Sequence, residues 1–246
     1  MLPKSKWVQP FNTPAQTALR FFCFPYAGGA AQIYKDWHTH LPANVQVCGI
    51  QYPGRSSRFT EPLVQDPMDY VNAMRREIKP FLDKPFVIFG HSMGSMIAYE
   101  LTRALQEDGF APRRLLVSGR GAPHCPKTRE DYHPLPDGEF REKIKDMNGT
   151  PPEVLEHEEL MDLMIPILRA DFRVSETYEY KPGVMLRCGL TAFGGKGDPD
   201  VPEERLSGWT EHTEGDADYH MMEGDHFFLH DQKEEMLKLA LKKIFP

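Results

Sequence analysis

The residues best suited to covalent chemistry lie in the Gly-His-Ser-Met-Gly segment at positions 90–94. This segment follows the apolar run at 86–89 and precedes a stretch with helical periodicity, so it joins a buried strand directly to a helix. A serine on such a sharp turn exposes its hydroxyl group, and glycines two positions away on either side let strand and helix approach closely. We therefore predict that Ser92 is a nucleophile. A structural loop without a catalytic role is the alternative.

A serine hydroxyl needs a general base, and the base needs an orienting carboxylate. Where a nucleophile elbow is present, the order along the chain is Ser, then Asp or Glu, then His. Here a strand-like run ends in a glycine-rich turn that carries Asp198, and His226 follows a later short strand. The sequence predicts Ser92, Asp198 and His226 as a catalytic triad. Asp200, two residues beyond Asp198, is an alternative orienting acid.

Acyl transfer also needs hydrogen-bond donors for the oxyanion of the tetrahedral intermediate. The backbone amide of Met93, next to the nucleophile, is one expected donor. The second is expected from the loop after an early strand, at positions 24–29, where paired glycines permit close approach to a substrate. We assign it to the amide of Ala27, with Tyr26 as the alternative. A glycine-rich turn without a role remains the other interpretation.

Other titratable residues lie near these positions. His91 adjoins Ser92, but neighbours on a tight turn point in different directions, so His91 is a weak candidate for the base. His226 and His230 have the i, i+4 spacing of some zinc sites, but no HExxH motif accompanies them, and we predict no metal site. Asp225 is expected to shape the turn before His226.

Short apolar runs alternate with amphipathic helical stretches, a pattern typical of a mostly parallel central sheet with helices on both faces. Together with the elbow motif, it predicts an α/β-hydrolase fold. The predicted strands are Leu19–Phe24, Val45–Gln51, Pro85–Phe89, Leu115–Ser118, Cys188–Phe193 and Tyr219–Met222. The predicted helices between them are Met68–Ile78, Met93–Leu105 and Lys233–Ile244.

The alternation stops between about residues 124 and 180, where the sequence is rich in charge and contains no convincing strand. Helices are predicted there at Asp137–Met147, Pro152–Leu155 and Glu158–Val174. We interpret the segment as a helical lid insertion over the site, with a pair of crossover helices as the alternative. Its apolar positions are expected either to pack on the core or to line an acyl pocket: Leu160, Leu163, Met164, Ile167 and Leu168.

The length of 246 residues predicts a single domain over positions 1–246. A net charge of −7 without a basic stretch argues against a nucleic-acid binder. The N-terminal segment lacks the apolar core of a signal peptide, and no run approaches the length of a membrane span. The four cysteines form no CxxC pair, so we expect reduced thiols and a cytoplasmic protein.

One combination of short segments covers most of the chain: Phe24–Gly29, Tyr52–Arg55, Gly90–Gly94, Ser118–Arg120, Asn148–Pro151, Leu168–Asp171, Gly194–Asp198 and Gly224–Phe228. This combination resembles the motifs of the type II thioesterases, the stand-alone editing enzymes of nonribosomal peptide and polyketide synthesis. The similarity runs from about Phe21 to the C-terminus. The resemblance implies Ser92, Asp198 and His226 as the triad. The second acid, Asp200, is the one departure from the family pattern.

The resemblance also implies hydrolysis of acyl thioesters from the phosphopantetheine arm of carrier proteins, through an acyl-enzyme and without a cofactor. The expected partners are acyl or peptidyl carrier domains of a synthetase or synthase, with no nucleic acid and no membrane, and we expect a monomer. Alternatives within the enzyme class are a medium-chain fatty acyl thioesterase and a small-ester esterase. A catalytically silent module that binds a carrier domain is the alternative outside it.

Overall fold

A computed structural model describes residues 3–147, 149 and 155–245. Within this part of the chain the strands are β1 (Val8–Pro10), β2 (Leu19–Phe24), β3 (Val45–Ile50), β4 (Phe86–His91), β5 (Arg114–Ser118), β6 (Gly189–Gly195) and β7 (Ala217–Met222). They form one sheet in the order β1-β3-β2-β4-β5-β6-β7. The strand β1 pairs antiparallel with β3, and the other neighbouring strands are parallel.

Every predicted strand is present, with bounds within two residues of the prediction. The sequence analysis missed β1, which has three residues at the edge of the sheet. A strand this short shows no clear alternation, and its exposed Pro10 is a residue that sheets accept at an edge.

The helices are α1 (Pro67–Glu77), α2 (Met93–Glu107), α3 (Asp137–Asp146), α4 (Glu158–Glu176), α5 (Glu203–Ser207) and α6 (Lys233–Ile244). Short 3-10 helices lie at Ala31–Tyr34, Trp37–His40, Ser56–Arg58, Lys79–Phe81 and Gly208–His212. The start of α1 follows from its sequence, because the Asp66 carboxylate caps the Met68 amide at 2.7 Å and Pro67 fits the first turn.

Helices cover both faces of the sheet. Successive strand residues point to opposite faces, so Phe22 packs in the cluster that contains the buried side of α1 and α2, while Phe21 packs with Leu237 of α6. Since both faces are buried, the central strands are buried along their whole length and are mostly apolar rather than alternating. The predicted α/β-hydrolase fold is confirmed. Among the described residues, no helix combines the length and apolar character that crossing a bilayer requires.

The part of the 124–180 segment that the structure describes contains no strand, as predicted, and α3 and α4 occupy two of the predicted helices. The predicted helix at 152–155 lies outside the described residues except for Leu155, as does most of the 148–151 motif. Phe140 and Ile144 of α3 pack against Leu168 and Phe172 of α4 in a small separate cluster.

The expectation for the apolar positions of α4 is correct for Ile167 and Leu168, which are buried, and for Met164, which packs on that cluster. It is wrong for Leu160 and Leu163, which are 44% and 53% exposed. Helical spacing placed these two leucines beside the buried face, but the structure leaves both side chains exposed.

Candidate active site

Ser92 lies on the turn between β4 and α2, at the carboxyl end of the central strands. Its backbone has a positive φ of 53°, an uncommon conformation for a residue with a side chain. A Cβ atom at Gly90 would collide with the carbonyl of Gly94, and one at Gly94 would collide with the carbonyl of Phe24. The glycines are therefore required by close backbone packing, and the turn has the strained geometry that the sequence predicts.

The tertiary structure brings the three predicted triad residues together. Nε2 of His226 lies 3.0 Å from Oγ of Ser92, and Nδ1 of His226 lies 2.6 Å from Oδ2 of Asp198. Because a carboxylate only accepts, the His226 Nδ1–H donates to Asp198, which leaves Nε2 free to accept from the serine hydroxyl. The Asp198 side chain is 2% exposed, so this hydrogen bond is shielded from water.

The alternative acid, Asp200, points elsewhere. Its carboxylate accepts hydrogen bonds from Oγ1 of Thr128 at 3.0 Å and from Nε of Arg129 at 3.3 Å. Its backbone amide donates to Oδ1 of Asp198 at 3.0 Å, which helps to hold that carboxylate in place. The geometry thus favours Asp198 as the partner of His226.

His91 is fully buried and does not contact the Ser92 hydroxyl. Its Nε2 lies 2.9 Å from the carbonyl oxygen of His226, and its Nδ1 lies 2.9 Å from Oγ of Ser118. Burial, reinforced by the charge of His226, holds the pKa of His91 well below its usual value. The neutral ring therefore donates from Nε2 to the His226 backbone and accepts from Ser118 at Nδ1. The sequence analysis considered His91 only as a base and missed this supporting contact.

The two proposed oxyanion donors lie at the same end of the sheet. Met93 is the first residue of α2, and Ala27 follows β2 and lines the same cavity as Ser92 and His226. Among the described residues, neither backbone amide donates to a protein acceptor, so both are free to bind substrate. Tyr26 lines the cavity as well, with its hydroxyl 3.1 Å from Nε2 of His230.

The loop that carries Ala27 is attached to the helical insertion. The backbone amide of Gly28 donates to Oδ2 of Asp171 on α4 at 2.7 Å. Asp171 is also paired with Arg55, and both side chains are buried. Burial by itself lowers the pKa of Arg55, but the charge and hydrogen bonds of Asp171 raise it above its usual value. Sequence reasoning gave these two residues no role, although both fall in segments that carried the resemblance.

A cavity opens at Ser92 and His226. The insertion supplies an apolar part of its wall: Ile144, Met147, Leu168 and Phe172. Other parts of the wall carry arginine side chains, including Arg120 and Arg205. Within the described ranges, no three His, Cys, Asp or Glu side chains are grouped closely enough to hold a metal ion.

The thioesterase domain model matches residues 20–244, nearly the whole chain. This chain belongs to the thioesterase family. It is a thioester hydrolase, as the motifs predicted. Relatives include the gramicidin S biosynthesis protein GrsT of Aneurinibacillus migulanus, 41% identical over 98% of this chain and 94% of that protein. The linear gramicidin dehydrogenase LgrE of Brevibacillus parabrevis is 42% identical over 96% of this thioesterase and 91% of its own length.

The name of LgrE denotes a dehydrogenase. The present thioesterase has no Gly-x-Gly-x-x-Gly fingerprint for a dinucleotide anywhere in its sequence, and its turn from β4 to α2 carries the serine motif. The residues therefore support hydrolysis and give no basis for hydride transfer.

Solved structures agree with this family membership. The type II thioesterase BorB from the borrelidin biosynthetic cluster superposes with a TM-score of 0.89, at 33% identity and 97% coverage of both chains. The RedJ thioesterase from the prodiginine pathway of Streptomyces coelicolor gives a TM-score of 0.84, at 34% identity over 94% of this thioesterase and 87% of that chain. The predicted resemblance to type II thioesterases is confirmed.

Proposed function

We propose that this thioesterase releases acyl groups from the phosphopantetheine arm of carrier proteins in nonribosomal peptide or polyketide synthesis, with Ser92, His226 and Asp198 as its catalytic triad. The observation that carries the proposal is the continuous hydrogen-bond chain from Asp198 through His226 to Ser92, which opens on one cavity. The relatives in gramicidin S and borrelidin biosynthesis support the choice of substrate.

In the acylation step, Oγ of Ser92 attacks the thioester carbonyl carbon while Nε2 of His226 takes the hydroxyl proton. The carbonyl oxygen becomes an oxyanion that accepts from the amides of Ala27 and Met93. When the carbon–sulfur bond breaks, His226 returns the proton to the departing sulfur, so the pantetheine thiol leaves and an ester to Ser92 remains. Asp198 stabilises the imidazolium that exists between these transfers.

In the deacylation step, a water molecule occupies the position that the thiol has left. His226 takes a proton from this water as it attacks the ester, and then gives the proton to Oγ of Ser92. The free acid leaves, and the enzyme returns to its starting state. Each proton is accounted for by chain residues and water, so the proposed route uses no cofactor.

The proposed partners are acyl or peptidyl carrier domains, which deliver the thioester at the end of a long flexible arm. The insertion over residues 124–180 would act as a lid, because α4 both lines the cavity and holds the loop of Ala27 through Asp171. We also propose that the enzyme is a monomer in the cytoplasm. Free cysteines are typical of that reducing compartment.

The test compares wild type with Ser92→Ala and with Ser57→Ala as a matched control. The hydroxyl of Ser57 lies at the surface and accepts a hydrogen bond from Gln9. Hydrolysis of an acyl-carrier protein should fall by several orders of magnitude in Ser92→Ala and stay unchanged in Ser57→Ala. Residual turnover within about tenfold of wild type would remove Ser92 from the mechanism.

Substrate comparison separates the alternatives. We expect acyl-carrier protein to be hydrolysed faster than the same acyl group on pantetheine, and both faster than an oxygen ester. Preference for the oxygen ester would indicate an esterase, and equal use of free and carrier-bound fatty acyl thioesters would indicate a fatty acyl thioesterase. A fluorophosphonate probe that fails to label Ser92 would indicate a binding module without catalysis.

A further inference from the structure

Two arginines that line the cavity at Ser92, Arg120 and Arg205, have no carboxylate partner among the described residues. Arg120 donates to Oγ of Ser175 at 2.8 Å and to its carbonyl oxygen at 3.3 Å, and forms no ion pair among the described residues. Nε and Nη1 of Arg205 are buried and have no hydrogen-bond partner in the described part of the chain. Both residues line the cavity.

Four acidic residues line the cavity wall, and three of them are paired with other groups. Glu176 and Asp200 accept from Arg129 at 3.0 and 3.3 Å, and Glu176 also accepts from backbone amides. Asp131 pairs with a neighbouring lysine at 2.7 Å, and Glu130 is exposed to water. Within the described ranges, none of these four acids forms an ion pair with Arg120 or Arg205.

The two arginines are held close together by the backbone. The amide of Ala122 donates to the carbonyl of Arg205 at 2.9 Å, which attaches the start of α5 to the segment after β5. The indole of Trp209 donates to the carbonyl of Arg120 at 2.7 Å. Burial lowers the pKa of Arg120 to about 10, and the charge of Arg205 adds to this effect. A desolvated guanidinium without a counter-charge is costly, and a ligand carboxylate relieves that cost through charge-assisted hydrogen bonds.

The position of Arg120 indicates which part of a substrate it meets. The amide of Ser92 donates to the carbonyl of Ser118 at 2.7 Å, and Arg120 follows two residues later, at most about 7 Å of extended chain away. The phosphate of a phosphopantetheine arm is separated from the thioester by the whole length of the arm. The arm carries no charge between its phosphate and its sulfur, so a charged group that reaches Arg120 while the thioester is at Ser92 belongs to the acyl chain.

We propose that Arg120 and Arg205 form a subsite for a carboxylate carried by the acyl group, so that this enzyme selects thioesters of dicarboxylic acids or of acyl chains that end in an acidic side chain. The inference rests on the proposed function, because it assumes that the acyl group occupies the cavity at Ser92. Arginine suits the role because its planar fork binds a carboxylate through two parallel hydrogen bonds.

The test measures binding to Ser92→Ala, which keeps ligands intact. Four ligands are compared by calorimetry: glutaryl and pentanoyl thioesters, each on pantetheine and on 4′-phosphopantetheine. The glutaryl group should bind about 10- to 100-fold more tightly than the pentanoyl group on either arm. Adding Arg120→Gln or Arg205→Gln should bring this ratio close to one, whereas Arg120→Lys should keep part of it.

Arg113→Gln is the matched control, since Arg113 is exposed and precedes the opposite end of β5, and it should keep the full preference. The inference is overturned if glutaryl binds no more tightly than pentanoyl, if the preference survives both glutamine variants, or if affinity follows the phosphate alone. Thermal unfolding of each variant identifies any that fails to fold. In that case the ratio of glutaryl to pentanoyl affinity is measured in the variant of the other arginine. The binding assay needs no hydrolysis, so it tests the glutaryl preference separately from catalysis. A wild-type enzyme that fails to hydrolyse acyl thioesters would instead contradict the proposed function.

Discussion

Asp171 on α4 accepts a hydrogen bond from the backbone amide of Gly28 at 2.7 Å, across 143 positions of sequence. The same carboxylate is paired with Arg55, whose Nη2 donates to Oδ1 at 2.8 Å. The Asp171 side chain is fully buried and that of Arg55 is 5% exposed. A charged pair therefore joins the insertion to the loop that presents the Ala27 amide.

Asp171→Asn should both destabilise the protein and slow the reaction. The substitution leaves the buried Arg55 charge without a partner, at a cost of about 3–5 kcal/mol in the free energy of unfolding. The double variant Arg55→Met with Asp171→Leu removes both charges and should recover much of this stability. Its kcat should stay low, because leucine at position 171 cannot accept from the Gly28 amide. Denaturant unfolding and steady-state kinetics measure the two effects, and a wild-type kcat in the double variant would contradict the positioning role.

Asp198→Asn should reduce turnover far more than Asp200→Asn. An amide at 198 no longer stabilises the imidazolium of His226 and favours the wrong tautomer, for which losses of about 10⁴-fold in kcat are known in other triads. Asp200 contacts Thr128 and Arg129 instead, so its loss should act mainly through those surface contacts. Single-turnover hydrolysis of one acyl thioester compares the variants. A larger effect at position 200 would move the orienting role to that residue.

His91→Leu should lower kcat by about tenfold or more with little change in KM, because the His226 carbonyl loses the donor that fixes its loop. His91→Gln keeps an amide donor and should restore part of the rate. The contrast between leucine and glutamine separates positioning from simple packing, since both side chains fill similar space. Equal kcat values in the two variants would argue against a positioning hydrogen bond.

His212 should contribute to acid destabilisation. Burial, together with the nearby His124, lowers its pKa to about 4, against about 6.5 in an unfolded chain. Between these values the unfolded chain binds a proton that the folded chain does not, so stability falls as the pH decreases from about 6.5 to about 4. The slope is at most about 1.4 kcal/mol per pH unit, and above pH 6.5 the contribution is constant.

Urea unfolding across this pH range tests the assignment. His212→Gln should give a flatter dependence of stability on pH than wild type, while His38→Gln, a change at the surface, serves as the control for losing a histidine. Parallel curves for wild type and His212→Gln would show that the acid sensitivity arises elsewhere.

The lid hypothesis predicts uneven hydrogen exchange. The amides of α3 and of the first turns of α4 should exchange faster than those of β4, because they pack only in a small cluster of their own. The turn of α4 around Asp171 should be more protected, since Arg55 holds it to the core. Addition of an acyl-carrier protein should change the protection of α3. Protection of α3 equal to that of β4, with and without the carrier, would leave gating without support.

Local patterns in the sequence were sufficient to predict the strands of the central sheet, the main helices and the catalytic turn. A buried strand, a helix face and a sharp turn each depend on residues a few positions apart, so periodicity and glycine placement determine them directly. The order Ser92, Asp198, His226 was also readable, because each residue follows a strand of a parallel sheet whose carboxyl ends share one edge.

The remaining features depend on contacts between distant parts of the chain. The pairing of Arg55 with Asp171 spans 116 positions, and the bond from His91 to the His226 carbonyl spans 135. Only the folded chain shows that Asp198 rather than Asp200 meets His226, or that Arg120 and Arg205 line the same cavity. Such contacts leave no periodic trace, because a buried polar group is satisfied by whichever partner the tertiary packing brings within hydrogen-bond distance.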